Sequence, residues 1–171
     1  MGRLKIYFVC KADLGRKLNI DSIARKGLNT EMKYKSNHVI MRCKRNKATV
    51  IFYQAGKMVC FGGKTREEAK KITRQFARKA QKLGNPFIAF KYFQIQSIVC
   101  VYKLNRKIIN LEKIAIQNPK IKYEPELQPF ASFKFQDKVF LIFASGKIVV
   151  HGGKQLNGLR RAIKELNKCL G

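Results

Sequence analysis

GKMVCFGGK at residues 56–64 and GKIVVHGGK at 146–154 agree at six of nine positions and lie 90 residues apart. A self-match at one fixed offset is the mark of an internal repeat. Working outward, Val9-Cys10 and Val99-Cys100 keep the same offset, and so do Tyr53 and Phe143. Each copy then runs into a basic segment with helical periodicity. Two repeats, 1–90 and 91–171, account for nearly the whole chain of 171 residues. The seam falls near Gly84-Asn85-Pro86, a turn-forming triplet.

Within a copy the expected order is strand, helix, strands, helix. Residues 5–11 and 94–102 are rich in β-branched and aromatic types and predict strands. Short helices are expected from Ile20 and Leu111, with Asn19 and Asn110 as N-caps. VIMRC (39–43), TVIFY (49–53), KMVCF (57–61), FLIFA (140–144) and KIVVH (147–151) predict short strands between Gly-containing or charged turns, hence an antiparallel meander. The clearest helix starts at Thr65, which with Glu68 forms a capping box. Glu67 and Glu68 also suit the positive end of the helix dipole. Ala69, Ile72, Phe76, Ala80 and Leu83 form its apolar stripe, and Gly84 is placed to end it. Lys70, Lys71, Arg74, Arg78, Lys79 and Lys82 are left mostly on the outer side, either as a solvated face or as a binding one. In the second copy Leu159, Ile163, Leu166 and Leu170 form the matching stripe.

Hydrophobic residues make up 46% of the sequence, and a chain of this size buries roughly 68–70% of its unfolded surface. That composition excludes disorder. Lys and Arg number 37 against 10 Asp and Glu, a formal charge of +27, which calls for a polyanionic partner. Nucleic acid is the commonest such partner; an anionic membrane surface, or a lysine content that serves solubility, are the alternatives. No apolar run approaches the roughly 18 residues of a membrane span. The N-terminal Met-Gly-Arg-Leu-Lys-Ile lacks an apolar signal core, and Ile6 stands where a myristoylation motif has Ser or Thr. No membrane association is expected.

Few acidic residues argue against metal-dependent catalysis, which needs convergent carboxylates. No D-x-D, H-E-x-x-H or Gly-Lys-Ser/Thr phosphate loop occurs. His38 and His151 have no Cys or His at metal-ligand spacing. Cys10, Cys43, Cys60, Cys100 and Cys169 are odd in number and form no C-x-x-C, so they read as reduced, intracellular thiols. Neither enzymatic activity nor a cofactor or metal is expected.

Two repeats that lay helices on one face of an antiparallel sheet make an α+β fold. The other sheet face then carries Val9, Val59, Val99 and Val149 with Tyr53 and Phe143, flanked by basic residues. Such a patch is either an interaction surface or additional core.

V-I-M-R (39–42), G-K-M-V (56–59), Q-K-L-G (81–84), Y-E-P-E-L (123–127) and L-I-F-A-S-G-K (141–147), with the twofold repeat, resemble the TATA-box-binding protein family over essentially the full length. The resemblance implies a pseudo-twofold saddle, one curved ten-stranded antiparallel sheet with four helices on the convex side. The concave side of that fold binds the DNA minor groove and bends the duplex, with apolar contact at the centre and wedges kinking the ends.

Carried over residue by residue, the resemblance puts Val9, Val59, Val99, Val149, Ile51 and Leu141 on the groove floor, with family-like aliphatic types. Of the family's two aromatic wedges at each end, Tyr53 and Phe143 remain, while the partner positions fall on Ser36 and Gln128, which are no apolar wedges. The central Asn pair is replaced by Tyr7 and Ser97, and the Thr pair by Phe61 and His151. These changes imply a shallower or less stable bend and relaxed or altered sequence preference. Lys35, Arg42, Lys57, Lys134 and Lys147 are the implied phosphate contacts. Glu124, Glu126 and Leu127 match the loop through which the family contacts transcription factor IIB, and a IIA-type factor is a further implied partner.

The implied role is a non-catalytic initiation factor that binds double-stranded DNA as a monomer in the nucleus, or in a viral transcription compartment if the gene is viral. Competing readings are a protein-interaction adaptor or architectural factor with only non-specific DNA binding, and the nucleic-acid-gripping part of a nuclease or glycosylase.

Overall fold

The computed structural model describes residues 4–104, 110–154 and 158–171; Met1–Arg3 of the N-terminal stretch considered above lie outside them. Tyr7–Gln96 forms one compact unit, and the described residues before Tyr7 join those from Ser97 onward in a second. The first half of the chain contains β1 (Lys5–Asp13), α1 (Ile20–Lys26), β2 (Thr30–Lys33), a 3-10 turn at Tyr34–Ser36, β3 (His38–Cys43), β4 (Ala48–Tyr53), β5 (Lys57–Gly62) and α2 (Arg66–Lys82). The second contains β6 (Lys91–Lys103), α3 (Leu111–Gln117), β7 (Ile121–Lys122), β8 (Phe130–Phe135), β9 (Lys138–Phe143), β10 (Lys147–His151) and α4 (Leu159–Leu170). The strands lie in the order β2-β3-β4-β5-β1 and, in mirror order, β6-β10-β9-β8-β7. Within each half the recorded pairings are antiparallel.

The repeated glycine motif explains why both halves fold alike. The Gly56 and Gly146 amides each donate 2.9 Å bonds that close hairpins, to the carbonyls of Tyr53 and Phe143. Their carbonyls accept from Leu14 and Leu104, at 2.8 and 2.9 Å. At the far end of the motif the Gly63 and Gly153 carbonyls accept from Phe8 and Ile98, at 3.3 and 3.2 Å. One nine-residue pattern thus ties a hairpin both to the first strand of its own half and to the residue just beyond that strand.

The helices start where expected. Asn19 and Asn110 cap α1 and α3 by accepting from the amides of Ser22 and Lys113. Thr65 accepts from Glu68 at 3.1 Å, and the Glu68 carboxylate reaches back to the Lys64 amide at 2.8 Å, one residue before the reciprocal bond of an ideal capping box. Gly84 follows α2 with φ +103. Ser22 Oγ donates to the Leu83 carbonyl at 2.7 Å and buried Asn85 accepts from the Asn19 amide at 2.7 Å, fixing the start of α1 against the end of α2.

The first core joins Ala12, Val39, Met41, Val50, Phe52, Met58 and Cys60 of the strands to Ile20 and Ile23 of α1 and Ile72, Phe76, Ala77 and Ala80 of α2. Leu83 is only partly buried. The second half buries Cys100, Phe133, Phe140, Ile142, Ile148 and Val150 with Leu159, Ala162, Ile163 and Leu166 of α4, while Leu170 is half-buried. All five thiols are free. Burial pushes Cys10 and Cys100 up to about 11 and Cys60 up to about 12, which makes them poor nucleophiles near neutral pH.

Three strands escaped the sequence reading: β2, β7 and β8. They are short or, in β8, interrupted by Ser132 and Lys134, so no continuous apolar run marks them. The strand expected at 140–144 instead runs Lys138–Phe143, because Ala144 already belongs to the turn that Gly146 closes. No described helix is long and apolar enough to cross a membrane.

Candidate nucleic-acid interface

Strand residues alternate between two faces, and the burial pattern follows the alternation. In β4, Ala48, Val50 and Phe52 are buried, whereas Thr49, Ile51 and Tyr53 are half-buried. In β9, Lys138, Phe140 and Ile142 are buried, and Val139, Leu141 and Phe143 are half-buried. The helices cover the first face of each strand set, and the second remains open.

Strand register assembles that open face in each half. Ile51 lies opposite both Ile40 and Val59, and Phe61 lies opposite both Val9 and Thr49. In the second half Val149 lies opposite Val101 and Leu141, and His151 opposite Val99 and Val139. The expected groove-floor residues therefore gather on one face per half. Val59, Val99, Val149, Ile51 and Leu141 are half-buried. Val9 departs from the expected bare surface, since only 8% of it is accessible. Phe61 is 39% exposed and His151 is exposed; Tyr7 and Ser97 are half-buried.

Charge surrounds this apolar floor. Lys35, Lys57, Lys134 and Lys147 are exposed. Arg42 is exposed as well but not free: its guanidinium donates to Glu31 at 3.1 Å, and Lys33 bonds the same carboxylate. Hydrogen bonds from Lys33 and then Arg42 hold the Glu31 carboxyl below its ordinary value. Lys147 also sits over the Phe143 ring, 5.6 Å from its centroid. Register adds cations the sequence reading missed, among them Lys11 opposite Val59 and Lys103 opposite Lys147. The alternation i, i+2 from Val9 and Val101 was the signal that would have found them.

In each half two rings pair across neighbouring strands. His38 and Tyr53 are paired in register with centroids 5.4 Å apart, and Phe130 and Phe143 with centroids 5.5 Å apart. Ser36 lies exposed in the 3-10 turn, and Gln128 is half-buried before β8. Glu124, Glu126 and Leu127 sit together in a tight turn whose Glu124 carbonyl accepts from the amides of Leu127 and Gln128, at 3.0 and 3.1 Å. Leu127 is 78% exposed. Among the described residues no group of His, Cys, Asp and Glu is arranged to hold a metal ion.

The family model for transcription factor TFIID, or TATA-binding protein, matches residues 7–83 and 92–171. TATA-box-binding protein-like 1 of Entamoeba histolytica is 35% identical over 166 residues, which cover 95% of this chain and 76% of that one. The TATA-box-binding protein of Tetrahymena thermophila is 37% identical over 162 residues, 92% of this chain but only 65% of its relative. In the solved structure of Methanococcus jannaschii TBP the likeness covers 98% of both chains, with a TM-score of 0.67 and 27% identity. The α+β fold of ten antiparallel strands and four helices expected above is therefore the one found. Sequence, fold and twofold repeat agree, and the chain belongs to the TATA-binding protein family of transcription factors.

Proposed function

We propose that the open sheet faces bind double-stranded DNA through its minor groove and bend it, with relaxed sequence preference, in the service of transcription initiation in the nucleus. The observation that carries this reading is a half-exposed aliphatic floor in each half, edged by exposed lysines, in a chain of charge +27. An apolar floor suits the minor groove, where proteins widen and kink the duplex by contact and wedging. Tyr53 and Phe143 act as wedges; Lys35, Arg42, Lys57, Lys134 and Lys147 hold phosphates, which positions the protein without specifying sequence.

The relaxed preference follows from the side chains at the centre. Minor-groove readout chiefly separates A·T from G·C through the guanine amino group. Phe61 offers that group no hydrogen bond and no donor to an A·T acceptor. A neutral His151 accepts from the amino group, and Tyr7 or Ser97 donates or accepts. Glu124, Glu126 and Leu127 form a separate acidic and apolar surface for a IIB-type factor.

Bending of end-labelled A·T-rich, G·C-rich and random-sequence duplexes at two salt concentrations tests the reading. All three bend, with a modest A·T preference and an affinity that falls steeply with salt. Each lysine removed from the rim lowers the salt slope by about one unit for every sequence. A sharp TATA consensus would refute the relaxed preference. Salt-dependent binding without any bend would replace the initiation role with an adaptor. Charge reversal at Glu124 and Glu126 removes recruitment of the IIB-type factor and leaves DNA binding intact or tighter; joint loss would contradict separate surfaces.

A further inference from the structure

The two ring pairs occupy equivalent places. His38 opens β3 and Tyr53 closes β4, while Phe130 opens β8 and Phe143 closes β9. Each pair is in direct cross-strand register. Their interplanar angles, 53° and 55°, are nearly the same. All four rings are half-buried and share the parity of the open face.

Tyr53 and Phe143 keep the offset of 90, but His38 and Phe130 are 92 residues apart. The difference lies in the hairpin turns: four residues, 44–47, separate β3 from β4, and two, 136–137, separate β8 from β9. Compared at a constant offset the two residues do not correspond; by strand register within their own halves they do.

We propose that His38 and Phe130 are DNA-contacting wedge residues, each completing a two-ring wedge with Tyr53 or Phe143. The positions that lost their rings, Ser36 and Gln128, each lie two residues earlier in sequence. Ser36 lies in the 3-10 turn and Gln128 before β8, whereas His38 and Phe130 are the first residues of the strands that follow and carry the parity of the open face, so the second ring of each wedge has moved from the connection onto the strand. This inference rests on the minor-groove reading above.

Several features separate a wedge from ordinary packing. The rings sit at strand ends on the helix-free face, and neither pair enters the buried cores. The Lys147 ammonium over Phe143 places a cation beside one pair, where a phosphate flanks an opened base step. The two wedges also differ: Phe130–Phe143 is wholly apolar, whereas His38–Tyr53 carries a ring nitrogen and a hydroxyl. The second half therefore opens its base step more strongly, and the bend is unequal at its two ends.

The test uses the full chain with duplexes that carry 2-aminopurine at either end of the bound site. Phe130→Ala weakens binding about tenfold or more, as loss of one ring stacked on a base does, and quenches the fluorescence rise at one end only. Phe130→Leu, which keeps an apolar wedge in place, loses less affinity and keeps more of the bend at that end than Phe130→Ala. His38→Ala has the smaller effect at the opposite end, and His38→Phe increases the bend there. The salt slope is unchanged in Phe130→Ala and Phe130→Leu, because neither removes a cation. Phe87→Ala, an exposed ring in the segment after α2, serves as the control. If the wild type bends duplexes and Phe130→Ala and His38→Ala match it, the wedge assignment is wrong while the function stands. If the wild type bends no duplex, the function reading itself fails and the wedges with it.

Discussion

Val59→Glu and Val149→Glu each lower affinity for duplex DNA by about a hundredfold while the protein stays folded, because like-charge juxtaposition at an interface costs several kcal/mol. Both valines are half-buried at the middle of an open face, where a carboxylate keeps its water in the free protein. Against a minor groove that carboxylate is stripped of water and set between phosphates. Val50→Glu is the contrasting variant. Val50 is wholly buried beneath the helices, and an unpaired charge there unfolds the chain before binding is at issue. Fluorescence anisotropy for binding and circular-dichroism melts for folding separate the two outcomes. Unchanged binding by both Val59→Glu and Val149→Glu would mean that the open faces do not touch DNA.

Gly56→Ala and Gly152→Ala each destabilise the protein by about 3 kcal/mol or more, since a non-glycine residue held at strained φ costs about 1–3 kcal/mol before any clash. Gly56 has φ +91 and Gly152 φ +122. A Cβ at Gly56 would lie 2.1 Å from the Arg16 carbonyl oxygen, and one at Gly152 2.1 Å from that of Asp137. Backbone must move in both cases. Gly158→Ala isolates the conformational part, because its φ is +76 but the nearest atom to a Cβ is 3.9 Å away. Denaturant midpoints should rank Gly158→Ala well above the other two. Equal midpoints for all three would show that close approach of backbone does not dictate the repeated glycines.

These glycines also show why the fold was largely legible. G-K-x-V-x-x-G-G-K records constraints on the backbone, a hairpin turn and a close approach, and those leave few substitutes. Helix ends were readable for a similar reason: Asn19, Asn110 and Thr65 cap through local bonds whose partners lie three residues away. By contrast β2 and β7 have two to four residues each, and only their pairing with β3 and β8 makes them strands. The open face was legible in Val59, Val99 and Val149, whereas Val9 keeps the 90-residue offset but is buried. Lys11, Lys103, His38 and Phe130 were not legible, because membership of the face depends on strand parity and hairpin length. Phe130 shows this most directly: its equivalence to His38 emerges only when the shorter turn between β8 and β9 is taken into account. The ion pair that engages Arg42 was equally hidden, since Glu31 meets it only when β2 pairs with β3.

Lysine acetylation in the presence and absence of duplex DNA, read by mass spectrometry, tests the central claim most directly. Lys35, Lys57, Lys134 and Lys147, and with them Lys11 and Lys103, should become protected, while Lys70, Lys71, Lys79 and Lys82 on the exposed side of α2 stay reactive. Protection of the α2 lysines with free reaction at Lys57 and Lys147 would place the DNA on the helical side and contradict the account.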